Sequence, residues 1–356
     1  MAITEVKRFQ ELDALRGIAA ILVVFFHFTA GRVEYNSILK LGTTGVDLFF
    51  IISGFVIFMS LQKIKCSRDF IINRTSRLYP TYWTAVTLAF FLLSVKPIIN
   101  GTFQIKESTI SYLGNMTMFQ FYFRIPDLDP PYWTMIIEML FYIGILFLYQ
   151  FKILKYLNFF GTVISLSSVI LCHFWYKNIV AETIIKGIPL MQFLPLFFAG
   201  TLFYKLYTSR NQYKLNITLL VLCYLCQLSL FPYAGRAHLY ISTYEYALML
   251  TIYFILFTGF VTNNLKFIVN KITLFLGKIS FALYLTHECV TLEFVIPKII
   301  TPLQLNFWVS SIFINLPIVL IIASFITYKI EVPWCKKMKA SLHDYFNKKN
   351  IQSVNT

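Results

Sequence analysis

Apolar residues run along this chain in blocks of 16 to 24, separated by short polar connections. Ten blocks are long enough to span a bilayer as helices. They are Leu12–Ala30, Val46–Leu61, Pro80–Val95, Trp133–Tyr149, Leu157–Trp175, Ile188–Tyr207, Leu215–Phe231, Tyr244–Val261, Leu274–Val295 and Leu305–Tyr328. The pattern predicts an all-α, polytopic membrane protein of about ten transmembrane helices. The second and third blocks are the shortest, which allows tilting or re-entry there. The longest connection, Lys96 to Tyr132, ends in DLDPPYW, whose paired prolines make a stiff lead-in to the fourth span.

Composition agrees: 58% of the 356 residues are hydrophobic and 13% charged, about half the charged fraction of a soluble domain. A net charge of +15 raises the question of nucleic acid. Its distribution answers differently. With the N-terminus inside, 22 of the 31 Lys and Arg residues fall on the inner side of alternating spans. That asymmetry predicts both termini in the cytoplasm and a bilayer, not a nucleic acid, as the partner. The first apolar run lacks a small-x-small cleavage pattern and reads as a retained signal anchor. Residues 1–334 are expected to form one transmembrane domain, followed by a short basic cytoplasmic tail over 335–356.

Ionisable residues inside spans are costly and so mark candidate chemistry. Arg16 and His27 lie eleven residues apart in ELDALRGIAAILVVFFHFTA, three helical turns or about 16 Å, and share a face. His27 is either a base poised for proton transfer or a neutral group bonded to a neighbouring helix. Asp47, in GTTGVDLFF, is placed to cap the second span, while Ser53 and Gly54 are either functional or a small-residue packing surface. In the expected inner loop FIINRTSRLYPTYW, Arg74 and Arg77 would present two guanidinium forks on one helical face, a geometry suited to phosphate. Trp133 is placed as an interface anchor. Glu138, five residues deeper, matches the depth of His27 and is a candidate to orient its imidazole. His287, in GKISFALYLTHECV, is a further candidate near mid-membrane. Cys223 and Cys226 have C-x-x-C spacing but no second pair or histidine nearby, so no metal site is expected. Sequons begin at Asn73, Asn115 and Asn216; only Asn115 would face outward, and chance is the better account of it.

Six stretches, LDALRGIAAILVVFFH, GVDLFFIISGFVIF, NRTSRLYPTYW, WTMIIEMLFY, GKISFALYLTH and EVPW, together resemble the membrane-bound acyltransferase-3 family of glycan O-acetylases. The resemblance covers Leu12 to Trp334. It implies transfer of an acyl group, usually acetyl, from cytosolic acetyl-CoA to a hydroxyl of an extracytoplasmic glycan such as O-antigen or capsule, in the inner or plasma membrane. The family's R-x10-H motif maps onto Arg16 and His27, and its paired basic motif onto Arg74 and Arg77. Its W-S-L-x-x-E motif appears as Trp133 to Glu138, with Thr134 keeping the hydroxyl. The catalytic set implied is His27, Arg16 and Glu138, with Arg74 and Arg77 holding the donor and no permanently bound cofactor. The stand-alone form, without a C-terminal hydrolase-like domain, is the one resembled. The rival reading is a flippase or transporter of a lipid-linked glycan. Against it stands the absence of the internal repeat that many transporters show.

Overall fold

The structure, a computed structural model, describes residues 9–29, 38–64, 66–174, 178–209 and 211–354, with side chains through residue 346. Lys7, Arg8, Arg32, Lys65, Lys177 and Arg210 of the charge count, and the predicted span ends Ala30 and Trp175, lie outside the described residues.

Among the described residues there is no strand. The helices run α1 (Gln10–Thr29), α2 (Gly45–Leu61), α3 (Ser67–Ile99), α4 (Ile105–Asn115), α5 (Trp133–Gln150), α6 (Leu157–Phe174), α7 (Ile179–Gly187) and α8 (Leu194–Thr208). They continue with α9 (Tyr213–Leu230), α10 (Thr243–Val261), α11 (Lys271–Cys289), α12 (Phe307–Ser310), α13 (Leu316–Phe325) and α14 (Val332–Val354). A π-helical stretch, Val290–Ile300, prolongs α11. Nine described helical segments are long and apolar enough to cross a bilayer. The protein is an all-α, multi-pass membrane protein.

Two elements differ from expectation. The sixth predicted span, Ile188–Tyr207, is a 3₁₀ turn over Pro189–Gln192 followed by the fifteen-residue α8. Pro189 and Pro195 each withhold a backbone donor, which breaks the run where a single helix was expected. The third span begins thirteen residues earlier than its apolar block, at Ser67, so the expected basic loop is helix. Pro80 sits inside that helix. On either side of it the Ser76 and Thr84 hydroxyls donate to carbonyls four residues back, Ile72 O at 2.6 Å and Pro80 O at 2.8 Å. Residue 334, after which the expected tail begins, lies within α14, which continues the last span without a break.

The chain divides into two compact units, each made of two separate segments. Unit 1 comprises Met1–Met59 and Lys155–Ser280. Its helices approach closely where side chains vanish. A Cβ on Gly54 would lie 2.0 Å from the Phe197 carbonyl oxygen, and one on Gly200 would lie 2.1 Å from that of Ile51. Glycine at both positions is therefore a steric requirement of the α2–α8 crossing, the small-residue contact that drives helix association in lipid. Phe9, Phe55, Tyr207 and Phe260 close one end of this unit, with ring centroids 5.2–5.9 Å from Phe9.

Unit 2 comprises Ser60–Leu154 and Phe281–Thr356. Here α14 packs along α3, and Arg68 of α3 lies over the Phe346 ring of α14 at 5.8 Å. The 96–132 connection is organised by one side chain. Asn115, fully buried, donates to Ser111 O and Pro126 O and accepts from Leu128 N, at 2.9–3.0 Å. Both of its N–H donors and its oxygen are engaged within the chain, which agrees with reading its sequon as chance. Asn216 is buried too.

Candidate functional site

In unit 1, His27 lies half-buried near the end of α1, eleven residues beyond the half-buried Arg16. Its Nδ1 is 3.1 Å from the Val23 carbonyl oxygen. A carbonyl can only accept, so Nδ1 carries the proton and Nε2 is the basic nitrogen. The Phe26 ring packs edge-on against the imidazole, with centroids 4.8 Å apart. The Val23 carbonyl thus fixes the orientation of the imidazole and leaves Nε2 as the ring nitrogen that can exchange a proton.

Asp47 and Ser53 belong to the same unit. Asp47, the expected cap of the second span, lies in the first turn of α2, which follows a 3₁₀ turn over Ile38–Thr44. Its buried carboxylate meets the Tyr246 hydroxyl of α10, which also reaches Gln227. One turn earlier, Thr44 Oγ1 and Tyr253 OH are 2.7 Å apart. This is a polar seam joining α2, α9 and α10. Ser53 is buried beside Gly54 at the α2–α8 crossing, in agreement with the packing alternative.

Unit 2 brings together Arg74, Arg77 and Glu138. Arg74 and Arg77 stand one turn apart on α3, both half-buried. Arg74 Nη2 donates to Ser60 Oγ at 2.7 Å, and its guanidinium lies against the rings of Phe70 (5.5 Å) and Tyr142 (5.8 Å). Tyr142 donates its hydroxyl to Glu138 one turn before it on α5. Glu138, Arg77 and Tyr142 are the charged and polar groups that bear on Arg74. Tyr142 was missed from sequence, although its i, i+4 spacing from Glu138 was there to read. Of these side chains, Phe70, Arg74 and Tyr142 border a mostly apolar cleft of about 200 Å³ between α3 and α5, lined also by Leu78, Tyr79, Met139 and Leu146.

The start of α5 is built differently. Trp133, half-buried, is its first residue. Thr134 Oγ1 donates to Pro131 O at 3.0 Å and accepts from Tyr284 OH at 3.1 Å, so the hydroxyl kept in the W-T-M-I-I-E stretch ties α5 to α11. His287 is fully buried on α11, with Nδ1 donating to Leu283 O and Tyr284 O at 3.1 and 2.9 Å. Its basic nitrogen, like that of His27, is Nε2. Two residues further on, Asp129 Oδ2 accepts from Cys289 N at 3.3 Å, at the passage from α- to π-helix. Asp129 was not singled out by sequence, because it sits in a polar loop that reads as exposed; it is 1% exposed. Burial first, then the charge of Glu288, pushes its carboxyl well above the usual range.

The described residues define an all-α, multi-pass membrane protein whose membrane-crossing helices carry a histidine, a pair of arginines and carboxyl groups. A family profile described as "Acyltransferase domain", of the acyltransferase-3 type, matches residues 9–328, so the chain belongs to that family and is a membrane-embedded acyltransferase. It is similar to "Putative acetyltransferase ORF330" of Acidianus two-tailed virus, with 25% identity over 288 residues, covering 77% of this chain and 80% of the relative. No solved structure matches the chain.

Proposed function

We propose that the protein moves an acyl group, acetyl by family resemblance, from cytosolic acyl-CoA to a hydroxyl of an extracytoplasmic glycan, acting in the plasma or inner membrane. His27 serves as the base: Nε2 takes the proton of the acceptor hydroxyl, the oxygen attacks the thioester carbonyl, and the CoA thiolate leaves and recovers a proton. Arg74 and Arg77 hold the CoA phosphates, and Arg16 orients the donor. Glu138 and Tyr142 keep the Arg74 guanidinium in place.

The observation that carries this reading is the His27 tautomer. The Val23 carbonyl holds the Nδ1 proton and leaves Nε2 basic within an apolar helix, in a chain of this enzyme family. The test is His27→Gln, which keeps size and polarity but removes the basic nitrogen. Acyl transfer from radiolabelled acetyl-CoA to surface glycan falls about 10²–10⁴-fold at matched membrane levels, while donor binding persists. Near-normal transfer by this variant would end the assignment.

A further inference from the structure

Among the buried polar atoms of unit 2 that lack a protein partner, two stand three residues apart and have no part in the proposed chemistry. Asp129 and Tyr132 flank Pro130 and Pro131 at the lead-in to α5 and are 1% and 0% exposed. Asp129 Oδ1 and the Tyr132 hydroxyl are both buried without a protein partner. Each such atom costs about 1–3 kcal/mol, and an apolar residue of the same shape would avoid the penalty. The pair is not loosely placed. Asp129 is held through its other oxygen by Cys289 N–H, and the Tyr132 ring is fixed edge-on against Tyr82, centroids 5.2 Å apart.

The surroundings narrow what would satisfy these atoms. Tyr82 OH reaches Gln120 Oε1 at 3.5 Å, and Gln120 Nε2 donates to Asp127 Oδ1 at 2.7 Å. Asp127 is exposed, so a line of polar groups leads from the surface to the buried pair. The charges bearing on Asp129 are Glu288, Glu293 and Asp127, all acidic. Such a field repels the phosphates of CoA. It favours an uncharged ligand that donates to a carboxyl oxygen, pairs with a phenol and lays an apolar face on aromatic rings. Adjacent hydroxyls on a sugar ring meet all three conditions.

We infer that Asp129 and Tyr132 form a subsite for the neutral acceptor sugar, with Asp129 Oδ1 accepting from one ring hydroxyl and Tyr132 OH pairing with another. This inference rests on the glycan reading above and names the groups that recognise the acceptor.

The experiment uses the purified full-length chain and Tyr132→Phe. The probe is neutral oligosaccharide cut from the surface polysaccharide of the source cells and de-O-acylated with mild base. Two readouts are taken: the thermal stabilisation that the oligosaccharide confers, and the KM values for oligosaccharide and acetyl-CoA in acyl transfer. Without ligand, Tyr132→Phe melts at or above the parent temperature, since its hydroxyl has no protein partner to lose. The saccharide-induced shift disappears and the saccharide KM rises about tenfold, with the acetyl-CoA KM unchanged. Asp129→Asn, which keeps an oxygen for Cys289 N–H, shows the same split. Equal saccharide responses in parent and variants would overturn the subsite and leave these atoms to a buried water. A parent chain that no neutral oligosaccharide stabilises would overturn it too. Saccharide binding lost in the variants, with no acyl transfer by the parent, would leave the subsite standing and remove the glycan-acylation reading instead.

Discussion

The middle and the start of α5 handle polarity in opposite ways. Around Glu138 and Tyr142, charges of both signs meet: the hydroxyl donates to the carboxylate, and Arg74 spans from Ser60 to the Tyr142 ring. Around Asp129 and Tyr132, less than three turns earlier, the groups share one sign and two atoms lack protein partners. In the first arrangement the carboxylate and the phenol are paired within the chain, and the buried atom left over is Arg74 Nε, a cation's donor beside the cleft. In the second the atoms left over are an acidic oxygen and a phenol. The first invites an anion, the second a neutral group that can donate to a carboxyl oxygen.

Replacing residues in the two clusters separates these accounts. The largest effect is expected for Arg74→Ala, which leaves Glu138 without its cation. Thermal unfolding in detergent should show a loss of about 2–4 kcal/mol. Adding Glu138→Gln should recover part of it, and a strictly additive pair of losses would break the picture of a coupled cluster.

Next in size is a matched pair of hydroxyl deletions. Tyr142→Phe removes a donor to a carboxylate and should cost about 1–3 kcal/mol, whereas Tyr132→Phe should cost nothing or stabilise. Equal losses at the two tyrosines would erase the contrast.

Asp129→Asn should raise stability at neutral pH by about 1–2 kcal/mol, since it removes a carboxyl that must be protonated or buried charged. The smallest signal is the pH slope. The native carboxyl of Asp129 is raised above its unfolded value, so the folded state binds more protons between the two. Its contribution is then complete below about pH 4 and is lost as pH rises through the native value. The difference in stability between parent and Asp129→Asn should therefore widen from pH 4 upward, measured as melting temperature against pH. A constant difference would mean that Asp129 ionises normally.

How much of this could be read in advance divides along a physical line. Spans such as Leu12–Ala30 and Tyr244–Val261 were legible because lipid demands long apolar runs, and hydropathy reports that directly. The Ser67 start of α3 was not. Asn73, Arg74 and Arg77 look like a loop when counted one residue at a time, and only packing against α14 and α5 makes them helix. Asp129 escaped for the converse reason: a polar residue between prolines reads as solvated, and the burial comes from α11, 160 positions away in the chain. The tautomer of His27 follows from helix geometry with Val23, but sequence alone could not say which way the ring turned. Of the candidate residues, the Arg74–Glu138 association became visible only through Tyr142, a side chain with no unusual signature of its own.

The unbroken helical run from Phe307 to Phe346 makes one part of this protein a ruler. Forty residues at 1.5 Å each give a rod of about 60 Å, roughly twice the thickness of the hydrocarbon core. Its far end is braced by Arg68 against Phe346, so it cannot swing as a string would. A fluorophore at Tyr345 should therefore hold a fixed height above the lipid headgroups, set by geometry and insensitive to salt. A second dye on the first turn of α3 should report the same height, and the two would serve as a built-in depth gauge for any movement of the unit relative to the bilayer.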